Sequence, residues 1–153
     1  MSGFIMTTLT DIARAWAAAL TTDAALAAWC EQFGKPLSVF VAWPSGQDRE
    51  WGRQDAPYVA IMPLGDKSGT DADEHEFELF LHLGLEVHGN VEGVAWKEPK
   101  GFSAIEKDFS GLVLEAFAGT DFAPCAVQGE TFPAQADFFE RDMAITVRVP
   151  FTI

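Results

Sequence analysis

Three histidines could in principle hold a metal: His75, His82 and His88. Chelation needs their rings to converge. His75 and His82 are separated by an odd number of residues, so on one strand they point to opposite faces. His82 and His88 share a face but stand about 20 Å apart at strand spacing. Neither pair chelates from within a regular strand. Asp66, Asp71, Asp73 and Glu74 are clustered as calcium ligands can be. Their spacing is not that of an EF-hand loop, and no glycine falls at its turn position. They read as a solvated turn. No metal or cofactor is expected.

Glu76 and Glu78 are paired carboxylates on one strand face and could serve acid–base chemistry. Nothing in the sequence gives them a dry pocket, and Arg148 on a neighbouring strand could neutralise them. For nucleophiles, Cys30 lies on the apolar face of a helix. Cys125 has no basic residue nearby to stabilise a thiolate. Ser45-Gly46 and Ser68-Gly69 are turn dipeptides, and neither belongs to a Gly-x-Ser-x-Gly elbow. Gly34-Lys35-Pro36 lacks the rest of a phosphate loop. No enzymatic activity is expected.

The chain has 153 residues, the usual size of one domain, and reads as a single domain over 1–153. It has 48% apolar residues, including 13 Phe and 5 Trp, too many core formers for a disordered chain. Its formal charge is −13. Such a surface repels phosphate, which argues against wrapping nucleic acid and against docking on anionic membranes. It is compatible with a protein that lets DNA slide past without sticking. The two cysteines, in the apolar settings Ala28-Trp29-Cys30 and Pro124-Cys125-Ala126, read as buried, reduced thiols, with nothing to support a disulfide. The apolar run from Ala15 to Leu20 is interrupted upstream by Asp11 and Arg14 and lacks the basic start of a signal peptide. No stretch reaches membrane-span length. The expected location is the cytoplasm, or a particle assembled there.

The elements that would position these residues follow from periodicity. Residues 8–20 predict a helix capped by Thr8, with Ile12, Trp16, Ala19 and Leu20 on one face. A second helix follows Asp23, with Leu26, Trp29, Cys30 and Phe33 aligned, and stops at Gly34. Leu37 to Trp43 and Tyr58 to Met62 read as strands, with a polar loop at 44–56 between them. Residues 66–73 read as an exposed turn. The clearest strand has His75, Phe77, Leu79, Leu81, Leu83, Leu85 and Val87 on one face. Glu76, Glu78, Phe80, His82 and Glu86 lie on the other. Gly84 is a candidate bulge.

Residues 88–102 read as a loop. Ser103 and Glu106 predict a capping box, opening a helix that runs to Ala118. Phe122 to Gln128 reads as a strand broken by Pro124, with a loop containing Pro133 after it. The closing strand places Met143, Ile145, Val147, Val149 and Phe151 inward, with Thr146 and Arg148 outward.

The order α-α-β-β-β-α-β-β predicts an α+β fold. The expected sheet is mostly antiparallel, with four to five strands and one covering helix. The two N-terminal helices pack at one end or beside it. The polar strand face and the aromatic-bearing loops with Trp43, Trp51 and Trp96 then stand out as a contact surface.

This layout resembles the tail terminator and tail completion proteins of long-tailed bacteriophages, including the lambda-like terminators. The resemblance starts with Thr10-Asp11-Ile12 and the helix to Leu20, then Thr22-Asp23-Ala24-Ala25-Leu26. It continues at Ala56-Pro57-Tyr58-Val59-Ala60-Ile61, the strand Glu76 to Leu85 and the helix from Ser103. It closes with Phe139-Glu140-Arg141-Asp142-Met143-Ala144-Ile145-Thr146-Val147. The loops at 44–56 and 88–101 depart from the shorter members.

The resemblance implies a hexameric ring in the virion, assembled in the host bacterial cytoplasm. The ring caps the tail tube and later meets the head connector, with DNA only passing through its lumen and no membrane involved. It implies subunit or tube contacts from Trp51, Arg53, Asp66, Lys67, Glu76, Glu78, Phe80, His82, Arg141 and Arg148. The two arginines would pair across subunits with the acidic excess. A head–tail joining (neck) protein of similar build remains open. So does a small ligand-binding or enzymatic domain with a pocket between helix 103–118 and the sheet.

Overall fold

A computed structural model describes residues 7–42, 51–68 and 74–150. The fold is α+β with a five-stranded mixed sheet, its strands in the order β1 (Ser38–Val41), β2 (Tyr58–Ser68), β3 (Glu74–Glu86), β5 (Phe138–Pro150), β4 (Ala126–Gln135).

Helix α1 spans Leu9–Thr22. Its first turn is closed by reciprocal bonds: the Asp11 amide donates to the Thr8 hydroxyl at 3.2 Å, and the Thr8 amide to the Asp11 carboxylate at 2.9 Å. Ile12, Ala13, Trp16 and Leu20 form its buried face. Asp23 ends α1 and caps α2, Ala24–Cys30, by accepting from the Leu26 amide at 2.8 Å. A 3-10 turn, Glu31–Phe33, leads to Gly34, whose left-handed φ of 71° stops the run as its position predicts.

Strand β1, Ser38–Val41, pairs parallel with β2, Tyr58–Ser68. The stretch between them is long enough for the crossover that parallel pairing requires, a relationship that periodicity does not carry. The Ala56–Pro57 peptide is cis. β2 continues beyond the expected stop at Met62, through a register shift between Pro63 and Gly65. Asp66 and Lys67 therefore belong to a strand rather than to a turn. β3, Glu74–Glu86, pairs antiparallel with β2 and with β5, Phe138–Pro150. Its register runs unbroken through Gly84, so the bulge expected there is absent.

The helix expected from Ser103 begins instead at Lys100. It comprises α3 (Lys100–Ser103), a π turn over Ala104–Phe109, and α4 (Ser110–Ala118). Pro99 stands at the N-cap, and Gly101 is pressed so close to Phe139 that a Cβ would lie 2.2 Å from its ring. That contact draws the first turn onto β5 and leaves Ser103 inside the helix, not capping it. At the π turn, the Ser110 amide and hydroxyl both donate to the Ile105 carbonyl, the hydroxyl at 2.7 Å. The extra residue keeps Ile105, Phe109, Val113 and Phe117 all on the buried face.

Strand β4 spans Ala126–Gln135, displaced from the expected 122–128. Pro124 precedes it and Pro133 lies within it, because β4 is an edge strand and its register shifts between Pro133 and Gln135. Pro150 similarly pairs only toward β3. Trp43, Phe151 and the loop segments 44–50 and 69–73 lie outside the described residues.

The helices cover the sheet face formed by Val59, Ile61, Phe77, Leu79, Leu81, Leu83, Leu85, Met143, Ile145 and Val147, all buried. Trp16 stacks on Phe117 at 4.2 Å between ring centroids, and its Nε1 donates to the Phe122 carbonyl at 3.0 Å. The aromatic bulk thus sits under α1 and α4 with its polar atom satisfied.

Candidate functional site

The opposite sheet face carries the even-numbered side chains of β3 and β5. Register places Gly84 between Tyr58 and Glu140, and His82 between Ala60 and Asp142. Segment 51–56 folds over this end of the face. Ala56, Tyr58 and Phe138 are buried there, with Phe40 and Trp51 packed on them.

His82 is held from both sides. Its Nδ1 lies 2.5 Å from an Asp142 carboxylate oxygen, and its Nε2 contacts Glu140. The imidazole side chain is 15% exposed, so the network is largely shielded. The Tyr58 hydroxyl donates to the same Glu140 carboxylate at 3.5 Å. Burial first, and then the Glu140 charge, push the Tyr58 phenol up, so it stays protonated. Ring centroids of Tyr58 and Trp51 lie 5.8 and 6.4 Å from that of His82. Phe40 stacks on Trp51 at 5.7 Å.

At the rim, the Arg53 guanidinium bonds Glu86. That hydrogen bond holds the Glu86 carboxyl below the usual range. His88, more exposed, lies 3.0 Å from Asp137. At the other end of the face, Arg148 lies 3.6 Å from Glu76.

Of the residues singled out from sequence, Trp51, Arg53 and His82 converge at one end of this face. Glu76 and Arg148 meet at the other, with exposed Glu78 and half-buried Phe80 between. Lys67 stands opposite Glu76 in register. Asp66 belongs elsewhere. It lies 3.4 Å from His75, which stacks on Phe77 of the helix-covered face at 4.9 Å. Arg141 is also on that covered face, opposite Leu83 and Thr131.

The partners that make the network, Tyr58, Glu140 and Asp142, escape the sequence reading. Alternation along 138–150 puts both acids on the outward face of β5. Only strand register sets them beside His82.

The arrangement fixes charge and shape. The ion pairs described for His82, Arg53 and Arg148 each close on an acid of the same chain. The thiols stand apart from it. Burial pushes the Cys30 thiol up to about 11, whereas Cys125, expected to be buried, is exposed because it leads into the edge strand β4, and it donates to the Thr146 carbonyl at 3.3 Å. Among the described residues no three His, Cys, Asp or Glu side chains form a cage for a metal ion, and no helix is long and apolar enough to cross a membrane.

Two grooves open on the helical elements. One of about 530 Å³ is lined by Leu20, Ala27, Cys30, Lys35 and Leu37. The other, of about 380 Å³, lies beside Trp96, Pro99 and Phe102. Fold and site together define an α+β domain with one helix-covered sheet face and one face that carries the His82 network and the Arg148–Glu76 pair. Compared with protein-family models and with curated proteins, the chain matches none.

Proposed function

We propose that this chain is a structural subunit of a phage or prophage tail, resembling the tail terminator. In this reading copies assemble into a ring, six-fold by the resemblance, that caps the tail tube and joins it to the head. The particle is built in the host bacterial cytoplasm. DNA passes through the lumen, repelled by the −13 charge of each subunit. The mostly antiparallel sheet, the two N-terminal helices and the covering helix belong to the same reading.

The observation that carries it is the exposure of β4. Among the described residues this ten-residue strand pairs with β5 alone, and it is exposed over most of its length, beside a sheet face that carries the His82 and Arg148 ion pairs. An unpaired edge on a rigid sheet suits assembly through strand addition.

Electron microscopy of the purified chain mixed with tail tubes tests the reading. Rings seated on tube ends are expected. Tubes that keep growing with no added density at their ends would overturn it.

A second reading, a small ligand-binding domain, is favoured by the groove of about 530 Å³ at Leu20, Ala27 and Leu37, which lies on the N-terminal helices and not, as the sequence led us to expect, between helix 103–118 and the sheet. A metabolite co-purifying with a monomer would select it. A neck protein of similar build would bind the head connector and leave tube ends uncapped.

A further inference from the structure

Arg141 does not follow the pattern of the other arginines on the sheet. Arg53 and Arg148 each meet a carboxylate of their own chain. Among the described residues, no carboxylate lies within ion-pair distance of Arg141. Its Nη1 donates to the Thr131 hydroxyl at 2.7 Å, and its Nε is buried without an acceptor among the described residues. A guanidinium carries five N–H donors in a planar fork.

Its direction is set by a missing side chain. Thr131 is its register partner on β4, but a Cβ built on Gly129 would lie 2.3 Å from Arg141 Nη2 and 2.7 Å from Cζ. The head therefore lies in the space that any other residue at 129 would fill. Arg141 starts on β5 and its head lies over β4 at Gly129 and Thr131, on the edge strand of the sheet.

We infer that Arg141, with Thr131, is a receptor for a carboxylate of a second copy of this chain docking along the β4 edge. The inference rests on the assembly reading above for the identity of the partner. Charge complementarity selects that partner. Each copy carries 23 acidic and 10 basic residues, so an approaching copy offers carboxylates almost anywhere it touches. Two such copies repel unless a cation stands at the contact. An arginine fork binds a carboxylate through two parallel bonds, which fixes orientation as well as attraction.

Sedimentation equilibrium on the full-length chain tests this with Arg141→Gln, Arg141→Lys and Gly129→Ala. Arg141→Gln removes the charge and is expected to weaken self-association by roughly tenfold or more. Arg141→Lys keeps the charge, loses the fork, and falls between. Gly129→Ala displaces only the far end of a flexible side chain. It should weaken association without lowering the unfolding midpoint, and it decides the matter should Arg141→Gln not fold.

Unchanged association in both Arg141→Gln and Gly129→Ala overturns the inference and leaves the ring reading standing. A wild-type chain that is monomeric at all concentrations also overturns the inference, while the ring reading is still judged by capping of tubes. A wild-type dimer abolished by Arg141→Gln supports the inference and counts against the ring.

Discussion

The ring of Tyr58 fills the place of a side chain on Gly84: a Cβ built there would sit 2.0 Å from the Tyr58 Cε2. The two residues are register partners on β2 and β3, and Tyr58 is fully buried by lying flat across the glycine. That position also brings its hydroxyl to Glu140 and its ring beneath Phe40.

Replacing Gly84 with alanine should therefore destabilise the domain. The added methyl displaces the ring, at a cost of about 1–3 kcal/mol for overpacking. Relief of glycine's backbone entropy offsets roughly 0.5–1 kcal/mol of it. Urea unfolding monitored by tryptophan fluorescence checks this, and a midpoint equal to the wild type or higher would count against the packing account.

His82 separates two acids that would otherwise face one another. Substituting leucine for His82 takes from Asp142 its imidazole contact and leaves Glu140 with the Tyr58 hydroxyl, in a site only partly open to water. A loss of about 1–3 kcal/mol is expected from the unsatisfied groups. Adding Asp142→Asn to the His82→Leu chain should recover part of that loss. A double-mutant cycle reads the coupling directly; strictly additive effects would show that the three side chains do not act together.

Acid should weaken the fold partly through Glu86 and Asp11. The Arg53 hydrogen bond lowers the Glu86 pKa, and the Thr8 amide and hydroxyl lower that of Asp11. Both carboxyls are thus more acidic in the folded chain than in the unfolded one. Their contribution is fully present above the unfolded carboxylate range of about 4. It disappears as pH falls through the depressed folded values. Glu86→Gln should accordingly lower stability at neutral pH and narrow its difference from wild type at about pH 2–3. A gap that widens on acidification would reverse the sign of the argument. Solvent exposure of the Arg53–Glu86 pair keeps the effect small.

The two thiols should react very differently. Cys30 is buried, and that burial pushes its thiol up to about 11. Cys125 is exposed. Brief treatment with a maleimide at neutral pH, followed by mass spectrometry, should find one label on the native chain, at Cys125. A second label should follow only on denaturation. Prompt labelling of Cys30 in the native chain would mean that α2 opens far more readily than its packing implies.

Periodicity made β3 and β5 legible, since every second residue of Phe77–Leu85 and Met143–Val147 is buried as the alternation requires. Caps did the same for α1 and for the stop at Gly34. What stayed hidden depends on contacts between distant segments. The Ser103–Glu106 pattern has the form of a helix start, yet packing of Gly101 on Phe139 moves the start to Lys100. Pro133 reads as a strand breaker until β4 is known to be an edge. The site divides in the same way. His82, Trp51 and Arg53 stood out by residue type. Their partners became visible only through strand register: Tyr58 across the β2–β3 pair, and Glu140 and Asp142 on a strand 58 and 60 residues further along than His82.

The placement of β5 sets a timetable for folding. Of the described elements it is the last in sequence, yet it lies between β3 and β4. A chain emerging from a ribosome holds β3 with one bare side and β4 with no neighbour until residues 138–150 have been made. Closing so distant a pair is entropically slow, and β4 depends on the same event. Both of His82's acids, Glu140 and Asp142, arrive on that one strand. The β4 edge therefore comes into being only with the strand that also closes the charge network, and until then the bare side of β3 is the edge a half-made chain exposes.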